Sequence, residues 1–289
     1  MKGSHRFILF IIVFLLIMFA VEYNLPKKFV WTPTYSHTDY QPFGCAIFDS
    51  LVSSSVPDYE VTNKTLYQLE QQDSVTPRGF LIVDDYFNMS DLDIGVMLKK
   101  VSRGDKILLV GNNFPKQLED TLKFQTSVGY FNLEMLRSYA SNKEVKDNII
   151  WLDESGPYKQ RVYSLYPQLI NTYFVEYDSL AYKPLAEVED HYNVAQQDST
   201  DEPRKQLLAL SSKFGKGEFI LVSTPRLFTN YGVLDGKNAE YIFRILSQLK
   251  GLPITRITAY LPSTTPEAGE SPLRYFISQP PLRWPIYLT

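Results

Sequence analysis

The apolar positions first fall in one uninterrupted run. Phe7 to Val21 reads FILFIIVFLLIMFAV with no polar residue, preceded by Lys2 and Arg6 and closed by Glu22. A helix of this composition is apolar on every face, which suits lipid better than a half-buried surface position. At about 1.5 Å per residue the run covers about 22 Å, against a hydrocarbon core of about 30 Å, and Tyr23 and Leu25 extend it before Pro26. Residues 1–25 are therefore expected to form an N-terminal transmembrane signal-anchor. The rival is a cleaved signal peptide, but Met18 two positions before Ala20 makes a poor small-x-small site. Lys2 and Arg6 favour an inside amino terminus with the bulk of the chain exported, although Lys27 and Lys28 on the far side weaken the asymmetry.

Residues 26–41 (PKKFVWTPTYSHTDYQ) show neither helical nor strand period and read as an extended tether. Residues 42–262 then read as an α/β domain. Pro42 opens a helix ending near Val56-Pro57, Tyr59 to Thr62 is a short strand, and Thr65 to Gln71 a short helix. Phe80 to Val83 is a continuous apolar run of buried-strand type. Ser90 and Asp93 make a capping box for a helix carrying Leu92, Val96, Met97 and Val101 up to Gly104. Lys106 to Val110 is a second buried strand, and Pro115 opens a helix through Leu122. Strand, helix, strand, helix predicts a parallel, Rossmann-like sheet with helices on its faces. From about 125 to 204 the pattern dissolves into a Tyr-rich insertion with strands at Ile149 to Leu152 and Thr172 to Glu176 and a polar loop from His191 to Pro203. Gln206 to Phe214, Gly215-Lys216-Gly217 and Glu218 to Ser223 read as a hairpin. A last helix, Lys237 to Leu249, offers Ala239, Ile242, Phe243, Leu246 and Leu249 on one face. Residues 263–289 are read as a linker, ending in interfacial aromatics, towards a second, truncated transmembrane helix.

A net charge of -3 and a pI near 5.7 give no basic excess for phosphates, which sets nucleic acid aside as a partner. Cys45 is the single cysteine, and His5, His37 and His191 show no zinc spacing. No motif calls for a cofactor. Chemistry in an open α/β sheet belongs at the carboxyl ends of the strands. That singles out Asp84 and Asp85, Asn112 and Asn113 after Gly111, and Thr224 between Ser223 and Pro225. Thr229 and Asn230, beside Phe228, extend the same candidate surface. Asp84 and Asp85 could serve acid–base work or a hard cation, although neighbours on an extended chain point to opposite sides, and Asp is equally a loop-start residue. Phe228 is equally a core residue and Asn230 a turn cap. Gly215-Lys216-Gly217 lacks the helix that a phosphate loop needs, and no G-x-S-x-G string marks a nucleophile elbow. Cys45 is best read as a small core residue.

WTPTYSHTDYQPFG (Trp31 to Gly44), the strand-helix-strand block around Gly104, and GKGEFILVSTPRLFTNYG (Gly215 to Gly232) together resemble the bacterial domain of unknown function 4350, over most of residues 31 to 250. The resemblance implies a glutamine amidotransferase-like fold of class I, membrane helices flanking the domain, residence at the bacterial inner membrane, and a membrane-associated AAA-type ATPase system as a partner besides the lipid bilayer. Those amidotransferases carry a cysteine at a strand-to-helix turn, backed by His and Glu. The corresponding turn here, Gly111-Asn112-Asn113, has no Cys, and no His-x-Glu follows. The expectation is a non-catalytic, membrane-anchored module that binds a protein partner or ligand, with a degenerate or metal-assisted hydrolase using Asp84 or Asp85 as the alternative.

Overall fold

A computed structural model describes residues 2–24, 29–71, 76–129, 146–153, 158–159, 161–166, 169–190 and 204–262. The chain divides into one unit ending at Trp31 and a second beginning at Thr32. In the first, the apolar run forms helix α1 (Lys2–Asn24), and its large side chains from Phe7 to Phe19 are all exposed. No helix among the described residues is long and apolar enough to cross a membrane. The expected transmembrane helix is thereby corrected to an apolar helix, whose unbroken run of about 22 Å falls short of a hydrocarbon core of about 30 Å.

The second unit is built on a sheet whose middle strands are β2 (Gly79–Val83), β3 (Lys106–Val110) and β10 (Gly217–Val222). They run parallel and in matched register, Val83 beside Val110 and Val110 beside Val222. β11 (Ile254–Ile257) and the edge strand β1 (Tyr59–Thr62) continue the parallel half beyond β2. β2, β3 and the second half of β10 read as apolar runs because both of their faces are covered. Leu81, Val83, Leu108, Val110, Ile220 and Val222 enter one core with Phe48 and Val52 of α2 (Ala46–Ser55), and with Tyr241 and Ile245 of α7 (Asn238–Leu246). The alternate residues Phe80, Ile82, Ile107, Leu109, Phe219 and Leu221 enter the other core. There they meet Met97 and Val101 of α4 (Asp91–Arg103) and Leu118 of α5 (Lys116–Leu122). Ser90 caps α4, accepting from the Asp93 amide, while Thr65 and Gln68 close a full capping box on α3 (Leu66–Glu70).

The expected parallel, Rossmann-like sheet of amidotransferase type is overturned, because the sheet is mixed. β9 (Arg204–Phe214) pairs antiparallel with β10, as the hairpin around Gly215 requires. It is followed, all antiparallel, by β8 (Tyr182–Asp190), β5 (Asp147–Trp151) and β6 (Val162–Leu165). β4 (Phe124–Val128) pairs antiparallel with β7 (Thr172–Tyr177), which joins β9 at Phe174 and Leu207. The Tyr-rich segment is thus half of the sheet. Its strands other than β8 are short, and the β4–β7 and β8–β9 ladders shift register at Gln125/Thr126 and around Ala186, which interrupts the two-residue alternation that marks a strand. The linker expected over 263–289 and the polar loop His191 to Pro203 lie outside the described residues.

Candidate site at the strand exits

The carboxyl ends of β2, β3 and β10 lie side by side. The Asp84 amide donates to Val110 O at 3.0 Å and the Gly111 amide to Val222 O at 2.9 Å. Adjacent exits are therefore about one strand spacing, roughly 4.8 Å, apart. Gly111 permits this closeness, since a Cβ there would lie 2.5 Å from the Phe87 ring and 2.7 Å from Asp84 O.

Asp84 is 3% exposed. One carboxyl oxygen accepts from the Asp85 amide at 2.7 Å, and Oδ2 has no partner. Burial pushes its pKa up to about 7, against the pull of the Asp85 and Tyr86 amides and with help from the Asp85 charge. Asp85 takes the opposite side, as alternation along an extended chain demands. Its Oδ1 accepts from Tyr35 Oη at 2.8 Å and from Asn112 Nδ2 at 2.5 Å. This fixes the Asn112 amide so that its own Oδ1 is buried without a partner. Asn113 is exposed, its amide donating to Asp85 O at 3.0 Å and its backbone bridging to the exposed Tyr86. Burial, and then the Asp85 charge, raise the Tyr35 pKa well above its ordinary value, so its hydroxyl stays protonated.

Of the other predicted residues, Thr224 is fully buried with its hydroxyl turned towards that of Tyr241; each lies outside good hydrogen-bond geometry to any group. Thr229 caps α6 (Asn230–Leu234), accepting from the Gly232 amide and donating to Arg226 O. Asn230, 2% exposed, is a staple: Oδ1 accepts from the Ile47 amide at 2.7 Å, and Nδ2 donates to Asp39 O and Gln41 O at 2.8 and 2.7 Å. The structure therefore joins Asp85 to Asn112 directly, sets Asp84 and Asn113 beside them, and gives Thr229 and Asn230 to the scaffold. Phe228 fills the core against Phe48.

Sequence reasoning missed Tyr35, which lies in the stretch read as tether, and a buried ion pair next to it. Arg256, 1% exposed, donates through Nη1 to Asp49 and through Nη2 to Tyr35 O at 2.7 Å. Tyr59 Oη donates to the same Asp49. A charge in the buried strand ITRI, and an Asp in an apolar helix, were the available signals. Cys45 is buried and donates to Phe228 O at 3.2 Å, with burial pushing its thiol up to about 11, so it supplies no thiolate at neutral pH. Among the described residues no group of three His, Cys, Asp or Glu side chains could hold a metal ion. A separate acidic concavity of about 350 Å³, lined by Glu119, Asp120, Glu176 and Asp178 with Lys123 and Tyr177, shares no residue with the strand exits.

The model of a family described as a domain of unknown function (DUF4350) matches residues 37–246. No curated protein matches the sequence. Among solved structures, the β-galactosidase from Bacillus circulans sp. alkalophilus is similar at 12% identity and a TM-score of 0.36, covering 60% of this chain and 23% of that one. The α-L-fucosidase isoenzyme 2 from Paenibacillus thiaminolyticus gives 17%, 0.37, 60% and 25%. The exo-β-1,4-mannosidase Op5Man5 from Opitutaceae bacterium strain TAV5 gives 10%, 0.32, 78% and 33%. The chain spans no more than 33% of the length of these three proteins, and likeness at such TM-scores carries no argument about its activity.

Proposed function

The chain belongs to the DUF4350 family, and from that premise we propose that it is a non-catalytic recognition module, held at the bacterial inner membrane by the apolar surface of α1, that binds a protein partner or small ligand at the exits of β2 and β3. The observation that carries this reading is the pair of polar atoms fixed there. Asp84 Oδ2 and Asn112 Oδ1 are buried without partners, and both are oriented by hydrogen bonds to their other polar atoms. Buried polar atoms left unpaired cost about 1–3 kcal/mol each, a cost that a hydrogen-bonding group arriving with a ligand removes. A membrane-associated AAA-type ATPase is the proposed protein partner. Isolation of the full chain from native membranes in mild detergent, followed by mass spectrometry, should retain such an ATPase in stoichiometric amount, and Asp85→Ala should release it. Recovery of the wild-type chain alone would sink the reading.

A second reading, a hydrolase using Asp84, is favoured by one observation: a buried carboxyl group with a pKa raised to about 7 at a strand exit. It predicts hydrolysis of 4-nitrophenyl esters or phosphates, with or without added Mg²⁺, that Asp84→Asn abolishes. Equal rates in the two proteins would remove it.

A further inference from the structure

The segment from Thr34 to Cys45 closes on itself and spans two anchor points. Inside it, the Thr34 and Tyr35 amides donate to Phe43 O at 3.2 and 3.1 Å, and the Cys45 amide to Ser36 O at 2.9 Å. At its carboxyl end it is stapled by Asn230, which bonds to Asp39, Gln41 and Ile47. Towards its amino end Tyr35 ties it to the sheet, through the hydroxyl on Asp85 and the carbonyl on Arg256. Tyr35 has φ 48°, the left-handed region that a bulky residue enters only when its surroundings hold it there. The strap is thus fixed firmly at one end and held at the other by a strained residue whose side chain occupies the candidate binding carboxylate.

We propose that this strap is a latch on the strand-exit site: a ligand that donates a hydrogen bond to Asp85 replaces the Tyr35 hydroxyl, lets Tyr35 leave the left-handed region, and opens the strap at its amino end. Asp85 is only half-buried, so a donor can reach it. The Asn230 staple limits the opening to the Tyr35 side. In sequence the strap lies just after the unit that carries α1. This regulation rests on the binding reading above.

Hydrogen–deuterium exchange on the full chain tests it, comparing the wild type with Tyr35→Phe, Asp85→Ala, the double variant and Asn112→Ala. Loss of one charge-assisted bond should make the Tyr35 and Cys45 amides exchange roughly tenfold faster in either single variant, with no further gain in the double. The sheet amides of Leu109 and Leu221 should be unchanged, and Asn112→Ala should leave the strap as it is. Unaltered strap exchange in Tyr35→Phe, or acceleration of strap and sheet together, would overturn the latch. Tyr35→Phe keeps the ring in place, so the outcome does not depend on whether Asp85→Ala folds. The binding reading is decided separately: partner retention from membranes should rise in Tyr35→Phe. A chain that retains nothing in any variant removes that reading, whatever the exchange shows.

Discussion

Asp84 carries the most direct consequence of burial on a single residue. Its folded pKa of about 7 lies above the ordinary carboxylate value, so the fold favours the protonated form. The stability this contributes is fully present below about pH 4 and is lost as pH rises through about 7. Asp84→Asn, which mimics the neutral acid, is therefore expected to raise stability at pH 8 by on the order of 1–3 kcal/mol, with the gain vanishing near pH 4. Urea midpoints at the two pH values measure this, and an equal change at both would show that the ionised carboxylate is not the cause. Asp84 and Asn112 were legible as strand-exit residues from their place after apolar runs. Tyr35 was not, because nothing in a polar, aperiodic stretch announces that one ring will turn back into the core. Asn230 was legible as a surface contact or a turn cap and not as a staple, since its partners at Asp39, Gln41 and Ile47 lie far away in sequence.

Among the elements, the parallel strands and the α4 and α5 helices between them follow local pattern closely. β3 spans the expected Lys106 to Val110, and Gly104 ends α4 at φ 128°. Where the pattern fails, the cause is packing. α2 begins at Ala46 rather than at Pro42 because Pro42 O and Gly44 O accept from the Tyr231 and Asn230 amides and the Cys45 amide donates to Ser36 O, which holds these residues in the strap. The last helix turns Tyr241, Ile242 and Ile245 to the core, leaving Ala239 and Phe243 only partly buried. The β2–β3 exit geometry depends on Gly111, whose substitution by Ala forces Phe87 or the Asp84 backbone to move. Gly111→Ala is expected to destabilise the domain by about 1–3 kcal/mol, the range for overpacking a close contact, read as a lower denaturant midpoint with unchanged m-value. No loss would mean that the two exits are not in contact as described.

At the scale of the whole molecule, α1 belongs to a unit of its own, and its large apolar side chains from Phe7 to Phe19 are exposed. If lipid covers that surface, one charge in its middle costs about 3 kcal/mol. Phe14→Lys together with Leu15→Lys should shift the protein from the membrane pellet to the supernatant, while the α/β unit keeps its far-ultraviolet circular dichroism. Retention of the doubly charged variant in the pellet would show that α1 is not what holds the protein there. The sequence by itself determined what needs only neighbours a few residues away: the apolar helix, the cap of α4, the buried strands β2, β3 and β10, and the Gly215 hairpin. Tertiary structure alone decided that the Tyr-rich segment would extend the sheet in antiparallel fashion, that Arg256 would meet Asp49, and that Tyr35 would reach Asp85. Those pairings join residues separated by many turns of chain. Their free energy comes from burial and hydrogen bonds that exist only once the sheet has brought them together, so no local pattern records them.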